Sequence, residues 1–502
     1  MDLLIMTIRA RLKPLLLAGA GLAACALPAP AAADTLRDAL NGAYRTNPIL
    51  QSARAQQRAT DETVPLEKSA GRPNATGSVQ YVEFVKQSSD SQFAPSRSLG
   101  ASIDLGVPIY SGGAVKNSIK AAETRVEAGQ ADLRGTESSI FTQAVAAYMD
   151  VIRGEALVQL SANQVDVLTV NSQATSDRFE IGDLTRTDVA QSQARLAIAQ
   201  GDLRSAQANL ISAREDYIRV TGMAPDDLQP PPPLPGLPAS AAEAVATALD
   251  NNPDLIAARE RADASRYDID VAGAGRLPKV SVFTGSDYSN YLGSLDGPAP
   301  GVSVSQSGLG VQAGVQVSIP IFQGGRPAAL QRQAQARSAA AQENVIAAER
   351  DVIAQVRSAY SSWQAANQII DSTQVAIEAA ALSLEGVRAE STVGNRTILD
   401  ILDAEQELVA ARAQLVTARR NAYVAGFSLL AAMGKAEARD LGLDDDGPLY
   451  DPQINYDRVK NKWWDWERDP DPVVQSTRTV DIPAPGADIP VNDDSTPGSG
   501  VY

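Results

Sequence analysis

The sequence lacks the side chains on which most enzyme active sites depend. Its 502 residues include no histidine and one cysteine, Cys25. Cys25 lies in an N-terminal segment that we expect to be removed, so the mature chain would contain neither residue type. Thiol nucleophiles, histidine general bases and His/Cys metal sites are then excluded. We predict a protein that is not an enzyme and that holds no cofactor and no metal.

Aromatic residues are scarce, and long apolar runs are missing. Aromatic residues make up 5% of the chain although hydrophobic residues make up 44%, and the central segments are rich in Ala, Gln and Ser. Such small side chains suit closely packed helices better than a bulky globular core. Beyond the N-terminal segment no 18 consecutive residues are apolar, so no transmembrane helix is predicted. The net charge of −16 argues against nucleic acid as a partner.

Residues 1–33 have the features of a secretory signal peptide. Basic residues near the N-terminus precede an apolar stretch over 15–27, and small residues at 31–33 offer a cleavage site. The segment Leu22-Ala23-Ala24-Cys25 also fits the pattern for lipid attachment at Cys25. We expect an exported chain cleaved after Ala33, with lipidation as the alternative.

A unit of about 200 residues occurs twice in the sequence. PIYSGG at 108–113 returns as PIFQGG at 320–325, a shift of 212 residues, and an Asn-Pro pair recurs at 47–48 and 252–253. The shift of 212 carries four residues onto identical ones: Tyr148 onto Tyr360, Gly182 onto Gly394, Thr185 onto Thr397 and Asp188 onto Asp400. The duplication is therefore the framework in which every local motif has to be interpreted.

The repeat and the composition define five segments. A signal peptide over 1–33 precedes the first repeat at 34–229. A proline-rich linker at 230–238 leads to the second repeat at 239–435, and residues 436–502 form an acidic, largely disordered tail. The tail contains the cluster Trp463-Trp464-Asp465-Trp466, which we expect to dock on the body, with a membrane interface as the alternative.

Each repeat is predicted to contain a helix, a β-hairpin and a long helical hairpin. Apolar and polar residues alternate strictly along the second strand of each hairpin, and apolar residues recur every three or four positions in the helical stretches. The predicted helices are 35–70 and 240–273, the strands 78–86, 99–109, 279–291 and 309–321, the long helices 114–181 and 326–393, and the return helices 186–221 and 398–433.

The alternating strands allow two interpretations. About ten residues of alternation have the length and pattern of a strand that crosses an outer membrane. The same pattern also fits a soluble sheet with one wet face. Four strands cannot close a barrel, so the membrane interpretation requires an oligomer that pools its strands.

Together these features resemble the TolC family of outer-membrane export ducts, especially members that serve type I secretion. The resemblance covers about residues 35–435. It is carried by the two Asn-Pro helices, the two strand-to-helix motifs PI(Y/F)xGG, and the turns Phe179-x-x-Gly182 and Val393-Gly394-x-Arg396-Thr397. The run Thr397-Ile398-Leu399-Asp400-Ile401-Leu402-Asp403 is the most specific of these carriers.

The resemblance implies a fold and a set of partners. It implies an α+β membrane protein in which a homotrimer forms a twelve-stranded outer-membrane β-barrel, four strands per chain, continued by a long periplasmic α-helical barrel. Its implied partners are outer-membrane lipid, a periplasmic membrane-fusion adaptor, and an inner-membrane ABC transporter or proton-driven pump. The alternatives are a lipid-anchored drug-efflux duct and a periplasmic coiled-coil adaptor without a barrel.

The resemblance also assigns roles at the two helical tips. Thr185 to Asp188 and Thr397 to Asp400 both have the form T-x-x-D, which on its own predicts a helix N-terminus of the capping-box type. The residue equivalent to Asp403 in the first repeat, 212 positions earlier, is Gln191. Capping shared by the two repeats therefore does not explain Asp403. The resemblance implies that Asp400 and Asp403 form carboxylate rings at a narrow periplasmic entrance.

Arg396 differs between the repeats as well, since its counterpart is Leu184. The resemblance implies that Arg396 links to Thr187 and Asp188 and so helps to hold the entrance shut; an ordinary solvated arginine is the alternative. The family often has a tyrosine five residues before this arginine. Here that position is Ser391, so part of the expected closed-state contact is missing.

Glycine pairs follow the second strand of each hairpin. Gly112 with Gly113, and Gly324 with Gly325, are not followed by Lys-Ser/Thr, so they do not form a phosphate-binding loop. We expect them to permit a sharp passage from strand into helix. Pro108 and Pro320 are predicted to lie at the strand ends, where a missing N–H donor costs little. Gly182 and Gly394 are predicted to form the turns at the helical tips.

Overall fold

The computed structural model describes residues 34–86, 95–295 and 301–488. The predicted signal peptide and Cys25 lie outside the described residues, as does the tail beyond residue 488. Among the described residues, no helix combines the length and the apolar character needed to cross a membrane.

The order helix, hairpin, long helix, return helix occurs once in each half of the chain. The first half contains α1 (Leu36–Thr46), α2 (Pro48–Asp61), α3 (Thr63–Ser69), β1 (Asn74–Glu83), β2 (Arg97–Tyr110), α4 (Ala114–Glu180) and α5 (Arg186–Thr221). The second contains α6 (Ala241–Asn251), α7 (Pro253–Gly273), β3 (Lys279–Asn290), β4 (Ser307–Ser318), α8 (Arg326–Thr392) and α9 (Ile398–Ala432). Helices α4 and α8 have 67 residues each, a length of about 100 Å.

The helix predicted over 35–70 is three helices, and that predicted over 240–273 is two. One break occurs at the equivalent position in both halves, namely at the Asn-Pro pair. Proline cannot donate the hydrogen bond that would continue the preceding helix. Asn47 and Asn252 are extended, with ψ of 122°. Each side-chain oxygen accepts hydrogen bonds from the first backbone amides of the next helix.

The same two asparagines hold the ends of the return helices. Asn47 Nδ2 donates to the carbonyl oxygen of Val220 at 3.0 Å, and Asn252 Nδ2 donates to that of Ala432 at 2.9 Å. Both asparagines are buried. One side chain thus caps the start of one helix and the end of another, which gives the recurring Asn-Pro pair a physical reason.

The four strands form one antiparallel sheet in the order β1-β2-β3-β4. The prolines lie differently from the prediction. Pro108 is inside β2, where the register against β3 shifts between Pro108 and Tyr110. Pro320 lies two residues beyond the end of β4. The irregular register at Pro108 accommodates a residue that has no N–H to donate.

The largest core lies where α4 passes α1, α5 and the end of α9. Its largest fully buried side chains include Phe141, Tyr148, Tyr217 and Phe427. The Tyr148 hydroxyl donates to the carbonyl oxygen of Gln229 at 2.5 Å, which ties the chain just before the linker to α4. The linker 230–238 lies against the body and has no helix or strand.

Residues 436–488 differ from the predicted largely disordered tail. They contain a further helix, α10 (Pro452–Val459), and contact the body at several points. The Tyr450 amide donates to the Tyr44 hydroxyl at 2.8 Å, and Asn455 Nδ2 donates to the buried Asp61 carboxylate at 2.6 Å. These polar contacts and the fully buried Val459 hold the segment on the body. The acidic composition alone gave no indication of them.

Candidate functional sites: the amphipathic sheet and the helical tip

The sheet separates apolar and polar side chains onto opposite faces. The register aligns Val79 with Ala101, Tyr288 and Leu309 across the four strands. From this row, alternation places most of the remaining apolar residues on the same face, while Val82 and Phe283 fall on the opposite one. That face, the apolar face, consists of Val79 and Tyr81 on β1, Leu99 to Val107 at alternate positions on β2, Val280, Val282 and Tyr288 on β3, and Leu309 to Val317 at alternate positions on β4.

The opposite face is mostly polar and consists largely of small side chains, with Phe283 as an aromatic exception beside Gly314. It contains Asp104, Asp287, Gln312 and Gln316, together with glycines on β2, β3 and β4. A Cβ added at Gly310 would lie 2.9 Å from the Asp287 carboxylate oxygens, so the small residues leave room for their polar neighbours.

The apolar face has no cover within the described chain. Val79, Ile103 and Val311 are 78%, 66% and 74% exposed. A contiguous exposed apolar surface of this kind marks contact with a membrane or with another protein. Edge strands β1 and β4 also leave one side of their backbone hydrogen-bonding groups unpaired within the sheet.

Each pair of glycines after the hairpins turns the chain into a long helix. Gly112 and Gly113 have φ of 66° and 84°, and Gly324 and Gly325 have φ of 57° and 81°. These left-handed conformations are open to glycine at little cost. The junctions thereby begin α4 and α8 immediately beyond the sheet.

The helical tip consists of the α4–α5 and α8–α9 turns. Gly182 and Gly394 have φ of 81° and 80°, and no atom would meet an added Cβ at either position. One arginine–carboxylate pair closes each turn. Arg178 binds Asp183 at 2.6 Å, and Arg396 Nε binds the Glu390 carboxylate at 2.8 Å.

Both T-x-x-D motifs form capping boxes. The Thr185 side chain accepts from the Asp188 amide while the Asp188 carboxylate accepts from the Thr185 amide, and Thr397 and Asp400 repeat the arrangement. Hydrogen bonds from Thr185 lower the pKa of Asp188. Hydrogen bonds from the backbone and side chain of Thr397 lower the pKa of Asp400. Capping and a role at an entrance are compatible for Asp400, since both use the ionised carboxylate.

Asp403 pairs with an arginine that the sequence did not suggest. It lies almost one turn beyond Asp400 on α9, and its carboxylate accepts from Arg195 NH2 of α5 at 2.5 Å. The pair joins the tip of one helical hairpin to the tip of the other. Beside it, the buried side chains of Leu168, Ala199 and Leu402 form a small apolar cluster.

Glu405 is a buried carboxylate next to this contact, with 4% of its side chain exposed. Arg388 NH2 donates to it at 2.8 Å, and Asn171 Nδ2 donates at 3.2 Å. Arg388 belongs to α8 and Asn171 to α4, so the Glu405 carboxylate of α9 connects three helices. Removal of Arg388, whose own side chain is 54% exposed, would leave the buried carboxylate with Asn171 as a remaining donor, which is destabilising.

Arg396 does not reach its expected partners inside the described chain. It binds Glu390 of its own hairpin, and hydrogen bonding to Glu390 raises the pKa of Arg396. Thr187 is exposed and Asp188 holds the capping box of α5. A link between Arg396 and Thr187 or Asp188 therefore stays a prediction about neighbouring copies.

Sequence reasoning missed Arg195, Glu405, Arg388 and Asn171, although the signal was present. The equivalent residues in the other repeat, 212 positions away, are Glu407, Gln193, Ser176 and Ser383, respectively. The disagreement between halves that drew attention to Asp403 also holds at these four positions. It identifies the side chains that join the two tips.

The comparisons with known proteins agree with this arrangement. A model of the outer membrane efflux protein family matches residues 39–223 and 244–435. The chain belongs to the outer membrane efflux protein family. The resemblance to TolC-type ducts is thereby confirmed, and the chain is a protein of the outer membrane that extends into the periplasm. The family is one of channels.

Similar proteins serve more than one export task. Outer membrane efflux protein BepC of Brucella suis is 34% identical over 434 residues, 86% of this chain and 92% of BepC. Outer membrane protein TolC of Escherichia coli is 26% identical over 86% of this chain and 88% of TolC. Alkaline protease secretion protein AprF of Pseudomonas aeruginosa is 25% identical over 62% of this chain and 64% of AprF.

The fold is also that of solved outer-membrane proteins. The crystal structure of VceC from Vibrio cholerae superposes with a TM-score of 0.68 at 20% identity, over 80% of this chain and 96% of VceC. At this identity the likeness concerns the fold alone. It shows that a small sheet joined to two long helical hairpins is a fold found in a solved outer-membrane protein.

Proposed function

We propose that three copies of this chain form a trimeric duct through the outer membrane. The observation that carries the proposal is a four-stranded sheet with two open edges and an exposed apolar face. Edge strands β1 and β4 run in opposite directions, so β4 of one copy can pair antiparallel with β1 of the next. Three sheets then close a barrel of twelve strands, an even number as in bacterial outer-membrane barrels.

The two faces of the sheet fit this barrel. The apolar face meets lipid, and the polar face with its glycines lines a water-filled interior. Closure satisfies the backbone groups of β1 and β4, which lipid could not do. The two halves of the chain act as structural repeats, each giving one hairpin to the barrel and one long helical hairpin to a periplasmic cylinder.

The periplasmic tip is the proposed entrance. Three copies would bring six carboxylates, from Asp400 and Asp403, to a narrow opening. Like charges so close together attract cations. Arg396 is proposed to contact Thr187 and Asp188 of a neighbouring helix pair in the closed state, and Gly182 and Gly394 let the turns stay short.

The proposed duct performs no chemistry of its own. It docks on a periplasmic membrane-fusion adaptor and, through it, on an inner-membrane ABC transporter or proton-driven pump. Partner contact at the tip would open the entrance and give the substrate one continuous tunnel to the medium. Membership of the efflux family argues against the alternative of a periplasmic adaptor without a barrel.

Type I secretion of a protein is our first proposal for the task, and drug efflux is the second. AprF supports secretion and BepC supports efflux, each by its name. A deletion strain distinguishes them: loss of one large protein from the medium, with drug sensitivity unchanged, is expected for secretion. Broad drug hypersensitivity with an unchanged secreted proteome would contradict secretion and favour the efflux alternative, including its lipid-anchored form.

A further inference from the structure

The C-terminal segment 450–488, which we call the C-terminal strap, runs along the helical body to the level where the strands begin. Its course starts near Tyr44, which accepts from the Tyr450 amide. Helix α10 then packs Tyr456 against the buried cluster of Val64, Ala122 and Val126. Since Val64 is on α3, which leads directly into β1, the strap is moving toward the sheet.

Two basic side chains of the body hold the far end of the strap. Lys68 Nζ donates to the carbonyl oxygen of Lys460 at 3.0 Å, and Arg72 NH1 donates to that of Lys462 at 2.5 Å. Both bonds go to backbone atoms, so they fix the course of the strap whatever its side chains are. Asn74, the first residue of β1, lies only two residues beyond Arg72, about 7 Å along the chain.

The strap turns back directly after this point. Arg458 binds the Asp469 carboxylate with two hydrogen bonds of 2.7 and 2.8 Å, and Lys462 binds Glu467 at 2.7 Å. The returning segment passes Gly222 at the end of α5, beside the Thr477 hydroxyl. Arg214 NH1 then donates to the carbonyl oxygen of Gly486 at 2.6 Å. The strap is thus a closed loop with its tip at residues 463–466.

This tip carries three of the four tryptophans of the sequence. Trp463, Trp464 and Trp466 are 69%, 63% and 85% exposed. The expectation that they dock on the body is therefore wrong. The fourth, Trp363, contacts Tyr360 within the helical body. Tryptophan combines a large apolar surface with one N–H donor and is enriched where one end of the ring is wet and the other apolar.

Other exposed aromatic residues lie at the same end of the sheet. Tyr110 ends β2 and is 50% exposed, and Phe322 follows β4 and is 87% exposed. Aromatic girdles at the edges of the apolar band are a feature of outer-membrane strands. The strap tip follows directly on Lys462, whose carbonyl oxygen accepts from Arg72 two residues before β1, so it lies near this end of the sheet.

We propose that the three tryptophans of the strap tip insert into the headgroup region of the periplasmic leaflet of the outer membrane. Trp463, Trp464 and Trp466 form a peripheral anchor beside the base of the barrel. The inference rests on the proposed membrane position of the sheet. Lipid is the occupant because the hydrogen bonds from Lys68 and Arg72 hold the exposed rings near the start of β1. On the proposed membrane position of the sheet this is the membrane–water interface, where the aromatic residues of membrane proteins concentrate.

Fluorescence quenching by brominated phosphatidylcholine tests the anchor, since bromine quenches only tryptophans that contact lipid. The full chain with Trp363→Phe is reconstituted in vesicles, so that only the strap tip fluoresces. A reference chain has all four tryptophans changed to Phe and carries Val311→Trp on the apolar face. A control chain keeps Trp363 alone.

We expect the strap tip to lose fluorescence in brominated vesicles to a degree comparable with the Val311→Trp reference, and Trp363 to keep its fluorescence. Quenching of the reference without quenching of the tip would overturn the anchor and leave the proposed barrel intact. In that case iodide quenching would indicate a tip in water, and resistance to iodide would indicate a tip against a neighbouring copy. An unquenched reference would instead contradict the membrane position of the sheet, and with it the anchor.

Discussion

A chain carrying Asp400→Asn and Asp403→Asn is expected to conduct ions in planar bilayers with much weaker block by divalent cations. The change removes six carboxylates from the proposed entrance of a trimer. Asparagine keeps an acceptor oxygen for the Thr397 amide, so the capping box of α9 can persist. We expect the blocking concentration to rise more than tenfold, a loss of at least about 1.4 kcal/mol of cation binding.

Two matched variants make this recording specific. Asp183→Asn, which removes a tip carboxylate of the other hairpin, is expected to leave block unchanged. Arg195→Gln is expected to strengthen block, because it frees the Asp403 carboxylate from its ion pair. That pair is partly solvent-exposed, so its loss should cost at most about 1 kcal/mol of stability. Unchanged block in the double variant would reject Asp400 and Asp403 as the entrance.

Gly434→Ala is expected to lower the free energy of unfolding by about 4 kcal/mol. Gly434 follows α9 with φ of 70°, a conformation that costs a residue with a Cβ about 1–2 kcal/mol. An added Cβ would also lie 2.4 Å from the carbonyl oxygen of Asn251, so backbone must move at the site where Asn252 holds α9. Such overpacking adds about 1–3 kcal/mol.

Gly394→Ala is the matched control for this prediction. Its φ of 80° imposes the same conformational strain, but no atom lies within 4 Å of an added Cβ. Both substitutions reduce the entropy of the unfolded chain equally. Denaturant unfolding in detergent, followed by far-UV circular dichroism, should therefore show a loss of about 1–2 kcal/mol for Gly394→Ala. Equal losses for the two variants would contradict the proposed crowding at Asn251.

The sequence predicted those elements whose signals are local. Helix α5 begins at Arg186 and ends at Thr221, as expected, because Thr185 and Asp188 cap its start and Gly222 ends it. The alternation along β2 and β4 likewise determined the apolar face. The break at Asn47 was missed although Pro48 is a local signal for it. The bond from Asn47 to the Val220 carbonyl could not be predicted, since the two residues are remote in the sequence.

Contacts between distant parts of the chain escaped prediction. The course of the strap depends on Arg72 and Lys462, which are 390 residues apart. Asp403 was selected because it differs from Gln191, yet its partner Arg195 was not. A search for every charged position at which the repeats disagree would have found both. Composition described the tail as acidic and could not show that a few bonds hold it on the body.

Disulfide trapping between edge strands tests the pooled barrel most directly. A cysteine at Val79 of β1 is combined, one at a time, with a cysteine at Leu309, Val311, Ala313 or Val315 of β4, all on the apolar face. Within one chain β1 and β4 are three strand spacings apart, about 14 Å. A disulfide needs Cα atoms within about 7 Å, so no bond can form inside one copy.

The account predicts that at least one cysteine pair, oxidised in the outer membrane, yields covalent species of two and three chains and none larger. Val79→Cys alone should give no species of three chains. Single chains for every pair, or a series that continues beyond three, would contradict a closed barrel of three sheets.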